Sequence, residues 1–169
     1  MRKWLSLSII GLFFLALDFI SKSLVVAYIP KMSWLHPFYP YGGIGIFENF
    51  LGISLSINNV ENTGAAWGSF SSYGTFLFYF RILIVILLLV YLIISKMSYK
   101  NALFFTLIIT GAIGNIIDFA IYSHVIDMIH FEFGSYSFPV FNIADSLITI
   151  GIICLIINSF ITLKKERMK

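Results

Sequence analysis

The chain has 169 residues, of which 59% are hydrophobic and only 11% charged. A water-soluble domain of this size has too little interior to hide that much apolar surface, so that class is excluded. The net charge of +3 comes from basic clusters flanking apolar runs and carries no sign of nucleic-acid binding.

Four runs reach the roughly 20 apolar residues that a membrane-crossing helix needs: about 4–29, 73–94, 102–121 and 142–163. They predict an all-α integral membrane protein, a four-helix transmembrane bundle formed as a single domain over residues 1–169. Arg2, Lys3, Lys96, Lys100, Lys164, Lys165, Arg167 and Lys169 fall on one side of the alternating spans, eight of the eleven basic residues. By the positive-inside rule both termini are cytoplasmic.

The first run follows Met1-Arg2-Lys3, as a removable signal peptide would. It is too long for one, holds Asp18 and Lys22, and lacks a small-residue cleavage site, so it reads as a retained span. Asp18 and Lys22 are four residues apart and share one helix face. They read as an intramembrane ion pair, with direct contact to a substrate as the alternative.

The outer segment 30–72 opens with Pro30, Pro37, Pro40, Gly42, Gly43 and Gly45, which break helices. Trp34, Phe38, Tyr39, Tyr41, Phe47 and Phe50 suit a loop resting at the lipid head groups. Ile53 to Asn58 alternates apolar and polar, the pattern of a half-buried strand, and predicts a small extramembrane β-sheet on the outer face. Asn62-Thr63-Gly64-Ala65-Ala66-Trp67 follows. Its small residues permit close backbone approach, and the Asn amide both donates and accepts. The stretch reads as a tight turn re-entering the membrane or as part of a pocket. Arg81, in the second span, reads as a structural cation that reaches the outer interface or pairs with a carboxylate.

In the third run, Gly111, Ala112 and Gly114 are close-packing residues that direct Asn115 and Asp118 toward the bundle interior. The outer segment 122–140 carries His124, Asp127 and His130. It has no HExxH pattern, so no metal is predicted and the histidines read as interfacial. Phe131 to Phe138 reads as a hairpin turning at Gly134-Ser135. Asn142 and Asp145 are three apart at the head of the fourth run, and Thr149 continues their stripe. An Asn beside a carboxylate commonly fixes its orientation. Cys154 is the single cysteine, which rules out an internal disulfide and a cysteine-based zinc site.

Depth unites these residues. At 1.5 Å per helical residue, Asp18 and Asn115 lie roughly 20 Å, and Asp118 about 24 Å, from the cytoplasmic end of their spans. Asp127 and Asp145 flank the same outer face, so four of the eight acidic residues converge there. An ionisable group in hydrocarbon is costly and marks a functional site by default. Two carboxyl groups in one wet pocket do not both ionise easily. The ionised one deprotonates a water for attack on an amide carbonyl, while the protonated one donates to the carbonyl oxygen. Which two of the four Asp form such a pair is open on these grounds. A small proton- or ion-coupled transporter is the alternative that intramembrane charges also suit, although no inverted repeat is visible.

Asp18-x-x-x-Lys22, Asn62-x-Gly64-Ala65-Ala66, Gly111-x-x-Gly114-Asn115-x-x-Asp118, Val125-x-Asp127 and Phe141-Asn142-x-Ala144-Asp145-Ser146 occur in this order. In these motifs, spread over nearly the whole chain, the sequence resembles the lipoprotein signal peptidases (signal peptidase II). The resemblance implies an aspartyl endopeptidase that removes the signal peptide from diacylglyceryl-modified prolipoproteins, cleaving before the lipidated Cys. It implies action at the outer face of a bacterial cytoplasmic membrane, among membrane lipids, without a metal or other cofactor. It further implies inhibition by globomycin-type cyclic peptides. Asp127 and Asp145 match the family's catalytic dyad. Asn62, Gly64, Asn115, Asp118 and Asn142 match positions that shape or support the pocket, with Asp18 and Lys22 as a polar pair nearby. Phe119 departs from the family, which has Arg after the Asp of its Gly-Asn-x-x-Asp motif; Arg81 and Lys22 are the candidates to replace that contact. Trp67 stands where the family has Phe, and the loop 30–50 is longer than the family requires.

Overall fold

In the computed structural model the described residues are 2–33, 35–63 and 73–167. The elements are α1 (Arg2–Tyr28), β1 (Ile44–Phe50), β2 (Ile53–Asn62), α2 (Gly74–Ile94), α3 (Tyr99–Tyr122), β3 (Val125–Phe133), β4 (Tyr136–Ser137) and α4 (Ile143–Arg167). All four helices are long and apolar enough to cross a membrane. The chain is a multi-pass membrane protein with a small antiparallel sheet, as the apolar runs predict.

The helices begin and end on local signals. Ser98 caps α3, its Oγ accepting from the Asn101 N–H at 3.3 Å. Lys3 Nζ donates to the Met97 carbonyl at 2.9 Å, so the start of α1 and the α2–α3 connection lie at the same end. Leu12, Phe13, Ile93, Ile94 and Phe160 remain exposed on the outside of the bundle, where lipid rather than water is their solvent.

The most enclosed of the four helices is α3, and its backbone nearly touches α4. A Cβ on Gly111 would collide with the Ala144 carbonyl, and one on Gly151 would lie 2.8 Å from the Phe104 carbonyl. A Cβ on Gly114 would lie 2.6 Å from Asp18 Oδ2. These small residues form the seam along which two spans associate in lipid. Gly111→Ala is therefore expected to destabilise the fold by about 1–3 kcal/mol through overpacking. Thermal unfolding in detergent measures this, and an unchanged midpoint would mean that the seam has room to spare.

The sheet runs in the order β1-β2-β3-β4, antiparallel throughout. The sequence reading has only its centre and its hairpin. Strand β1 lies in what reads as a head-group loop, because its register with β2 shifts twice and erases any alternation. Most of β3 is missed for a different reason. Val125, Ile126, Asp127 and Met128 are all buried, so no period of two appears there. The turn at Gly134-Ser135 stands as expected, with Phe133 opposite Tyr136. Beyond it the chain returns along β3. Ile129 N–H donates to the Phe141 carbonyl at 2.8 Å and Phe141 N–H to the Ile129 carbonyl at 3.1 Å. That bridge delivers the head of α4 to the side of β3.

Candidate active site

Asn142 organises the site. It precedes α4 rather than belonging to it, and it exchanges hydrogen bonds with Asp145 in the manner of a capping box. Asp145 N–H donates to Asn142 Oδ1 at 2.8 Å, and Asn142 N–H donates to Asp145 Oδ2 at 3.3 Å. The Asn142 side-chain amide then donates to Asp127 Oδ1 at 2.8 Å. One fully buried residue thus touches both carboxylates. Two further amides complete them. Asn62 Nδ2 donates to Asp127 Oδ2 at 2.9 Å, and Asn115 Nδ2 donates to Asp145 Oδ1 at 2.8 Å. Every carboxylate oxygen of the pair therefore accepts an N–H. Burial, and then the charge of Asp145, push the Asp127 carboxyl up to about 7.

Behind this pair lies a second buried charge cluster. Lys22 Nζ is 2.7 Å from Asp18 Oδ2, 2.7 Å from Asp118 Oδ2 and 3.1 Å from Asn115 Oδ1. An ammonium has three N–H donors, and these three acceptors match them. The remaining contacts of the two carboxylates are to backbone. Ala144 N–H donates to Asp18 Oδ1 at 2.8 Å, and Ile126 N–H donates to Asp118 Oδ2 at 3.2 Å. Each supporting carboxylate therefore holds the peptide N–H immediately before one of the front pair: Ala144 before Asp145, Ile126 before Asp127. Lys22 ties the two holds together. Asp18 also satisfies a donor that the first turn of α4 cannot satisfy itself.

The front pair faces a cleft of about 590 Å³ that is also lined by Asn62, Arg81, Asn115, Thr149, the segment Phe138 to Phe141, and Ile148 and Ile150. Asn62, Arg81, Asn115 and Thr149 join the two carboxylates as polar lining, and most of the remaining lining residues are apolar. Asp18, Lys22 and Asp118 do not line it; they act from behind. Gly64, with Ala65, Ala66 and Trp67, lies outside the described residues. His124 and His130 are not in the cleft lining: His124 Nε2 meets Glu61 Oε1 at 3.2 Å and His130 Nε2 meets Ser137 Oγ at 2.8 Å. Phe119 stacks on Phe78 with ring centroids 5.1 Å apart, joining α3 to α2.

Arg81, read from the sequence as a structural cation that reaches the outer interface or pairs with a carboxylate, lines the cleft with both carboxylates. The replacement of the family's Arg by Phe119 is the signal that points to it. The apolar wall from Phe138 to Phe141 is missed outright, because nothing in its composition separates a cleft wall from a turn.

A model of the family described as signal peptidase (SPase) II matches residues 10–161. A lipoprotein signal peptidase of Chlamydia pneumoniae is 36% identical over 159 residues, covering 92% of this chain and 91% of the relative. One from Clostridium tetani is 43% identical over 104 residues, covering 60% of this chain and 67% of the relative. Among solved structures, a bacterial membrane enzyme studied by the in meso method superposes with a TM-score of 0.81 at 30% identity, covering 97% of this chain and 93% of the other. Four spans, a cleft with paired carboxylates and a family match over most of the length agree: this chain belongs to the signal peptidase II family, the lipoprotein signal peptidases.

Proposed function

We propose that the chain is an aspartyl endopeptidase that hydrolyses the peptide bond before the lipidated Cys of diacylglyceryl-modified prolipoproteins, with Asp127 and Asp145 as the reacting pair. The observation that carries this reading is the sharing of Asn142 between two carboxylates that face one apolar-walled cleft. Asp127, with its carboxyl raised to about 7, is the member that keeps the proton and donates it to the scissile carbonyl oxygen. Asp145 acts as the base on water. Asn62, Asn115 and Asn142 hold the pair, and Asp18, Lys22 and Asp118 hold the backbone on which it stands. Both termini are cytoplasmic and the cleft opens toward the outer leaflet, where signal helix and diacylglyceryl group arrive together. The apolar lining suits these groups, and globomycin-type peptides would compete for the same space.

Little favours a transporter. The buried positions of α3 on the N-terminal side of Gly114 are Ala102, Ile108, Ile109, Thr110 and Gly111, which offer an ion no charged path.

The pH dependence follows from Asp127. Its folded value of about 7 lies above the roughly 3.9 of an unfolded Asp. Its protonated form therefore contributes stability that is full below about pH 4 and is lost as pH rises through about 7. Activity needs the same proton. Cleavage of a lipidated substrate peptide is expected to fall about tenfold per unit well above pH 7. The apparent value belongs to the pair rather than to one residue. A rate that stays flat from pH 6 to pH 9 would remove the proposed acid.

A further inference from the structure

The cleft has a polar level that the chemistry of the front pair leaves unused. Helices α2 and α4 both pack on α3 and scarcely on each other. Arg81 from α2 and Thr149 from α4 line the space between them, with Ile148 and Ile150 alongside. Thr149 and Ile150 are exposed, so this part of the cleft reaches the lipid. Arg81 follows Gly74, the first residue of α2, and Thr149 follows Ile143, the first of α4, by about two helical turns. Both therefore lie roughly 10 Å inside the outer ends of their helices. Thr149 is also about 6 Å, or one turn, farther into the bilayer than Asp145.

What this level offers is hydrogen-bond donors. The charge of Arg81 acts on both Asp145 and Asp127, which sets its guanidinium beside the front pair. A guanidinium has five N–H donors and no acceptor, so Arg81 can hold a neighbour and still present donors to the cleft. A cation at such a depth is costly and marks a function by default. The Thr149 hydroxyl is the second donor. Thr106 Oγ1 and Ser146 Oγ turn back on their own helices, donating to the Ala102 carbonyl at 2.8 Å and the Asn142 carbonyl at 3.0 Å. The Thr149 hydroxyl makes no such bond and meets no other partner among the described residues. It is exposed where the bilayer has no water to take that place.

We propose that Arg81 and Thr149 donate to the two ester carbonyls of the substrate's diacylglyceryl group and so make the protein selective for acyl esters, an assignment that rests on the peptidase reading above. An ester is the complementary group. Its carbonyl accepts, and it brings no donor of its own to go unmet in hydrocarbon. The position fits as well. The modified Cys stands next to the scissile bond, and its glycerol carries the esters a few bonds farther, toward the midplane into which the acyl chains descend. With the scissile bond at Asp127 and Asp145, a reach of about one helical turn ends at the level of Thr149. An alkyl ether in the same place has no carbonyl to offer either donor.

The test gives the purified full-length protein one prolipoprotein peptide in two forms, its Cys carrying either an S-diacylglyceryl group or the S-dialkylglyceryl ether of the same chain length. Both are followed by intact mass in one mixture. The diester form is expected to be cleaved about tenfold faster in this competition, a difference of roughly 1.4 kcal/mol. Thr149→Val and Arg81→Met should each lower the ratio about threefold, and the double variant should bring it close to one. A change in the reactivity of the front pair acts on both substrates and cancels in the ratio. Should Arg81→Met fail to fold or lose all cleavage, Thr149→Val decides alone, since Val keeps the shape of an exposed Thr. Equal cleavage of the two forms by the parent, or a ratio that Thr149→Val leaves unchanged, would overturn the proposal and leave the peptidase reading intact. Cleavage of neither form by the parent would overturn both.

Discussion

Asp127→Asn and Asp145→Asn are each expected to slow cleavage of a diacylglyceryl-modified substrate by about 10²–10⁴-fold, the usual range for loss of a general acid or base. Both variants should remain folded. Asn fills the same space, and its side-chain oxygen still accepts one of the two amide donors that now hold each carboxylate. The double variant is expected to be little slower than either single one, because residues acting as a unit do not add their effects. Rates in purified, detergent-solubilised protein, with unfolding midpoints alongside, separate the outcomes. Near-full activity in either single variant removes that residue from the chemistry. A double variant slowed by the product of the two single effects would mean independent roles.

Lys22→Met carries the second large effect, and it acts on the fold. The cluster behind the cleft holds one ammonium and two carboxylates, all at most 2% exposed. Removing the cation leaves Asp18 and Asp118 buried and facing each other. Breaking a buried ion pair in this way costs about 3–5 kcal/mol. The two backbone N–H contacts at Ala144 and Ile126 would loosen with it, and these precede Asp145 and Asp127. Lys22→Met should therefore lower both the unfolding midpoint in detergent and the cleavage rate. Adding Asp18→Asn and Asp118→Asn should recover much of the stability, since no unpaired charge then remains buried. Activity should recover less, because weaker acceptors then hold the two peptides. A Lys22→Met protein as stable as the parent would show that water or a different cation can stand in its place.

The membrane-spanning helices are legible because their signal is composition over about 20 residues, and Leu, Ile, Val and Phe dominate every run. The aspartates are legible because charge is rare in such runs. What they touch is less so. Asn142 reads as the first residue of the fourth span, whereas it caps α4 and joins the two front carboxylates. A capping role depends on where the helix starts, and helix boundaries are the weakest part of any reading from pattern. Asp18 and Lys22 are visible as a pair at helical spacing. Asp118 completes a triad only because Gly111 and Gly114 draw α3 toward α4 and α1, a contact 93 residues away in sequence from Lys22 at Asn115. Strands β1 and β3 escape detection where bulges or two-sided burial cancel the alternation that announces a strand. Arg81 is visible as a cation in the second span, and the family's Arg that Phe119 replaces adds a second pointer to it.

The most direct measurement is an intact-mass analysis of a prolipoprotein incubated with the purified protein, with and without its diacylglyceryl group. One cut is expected, immediately before the modified Cys and in the lipidated substrate alone, and it should be lost in Asp127→Asn and Asp145→Asn. Equal cleavage of the unmodified chain, or cleavage that survives in both variants, would contradict the proposed function.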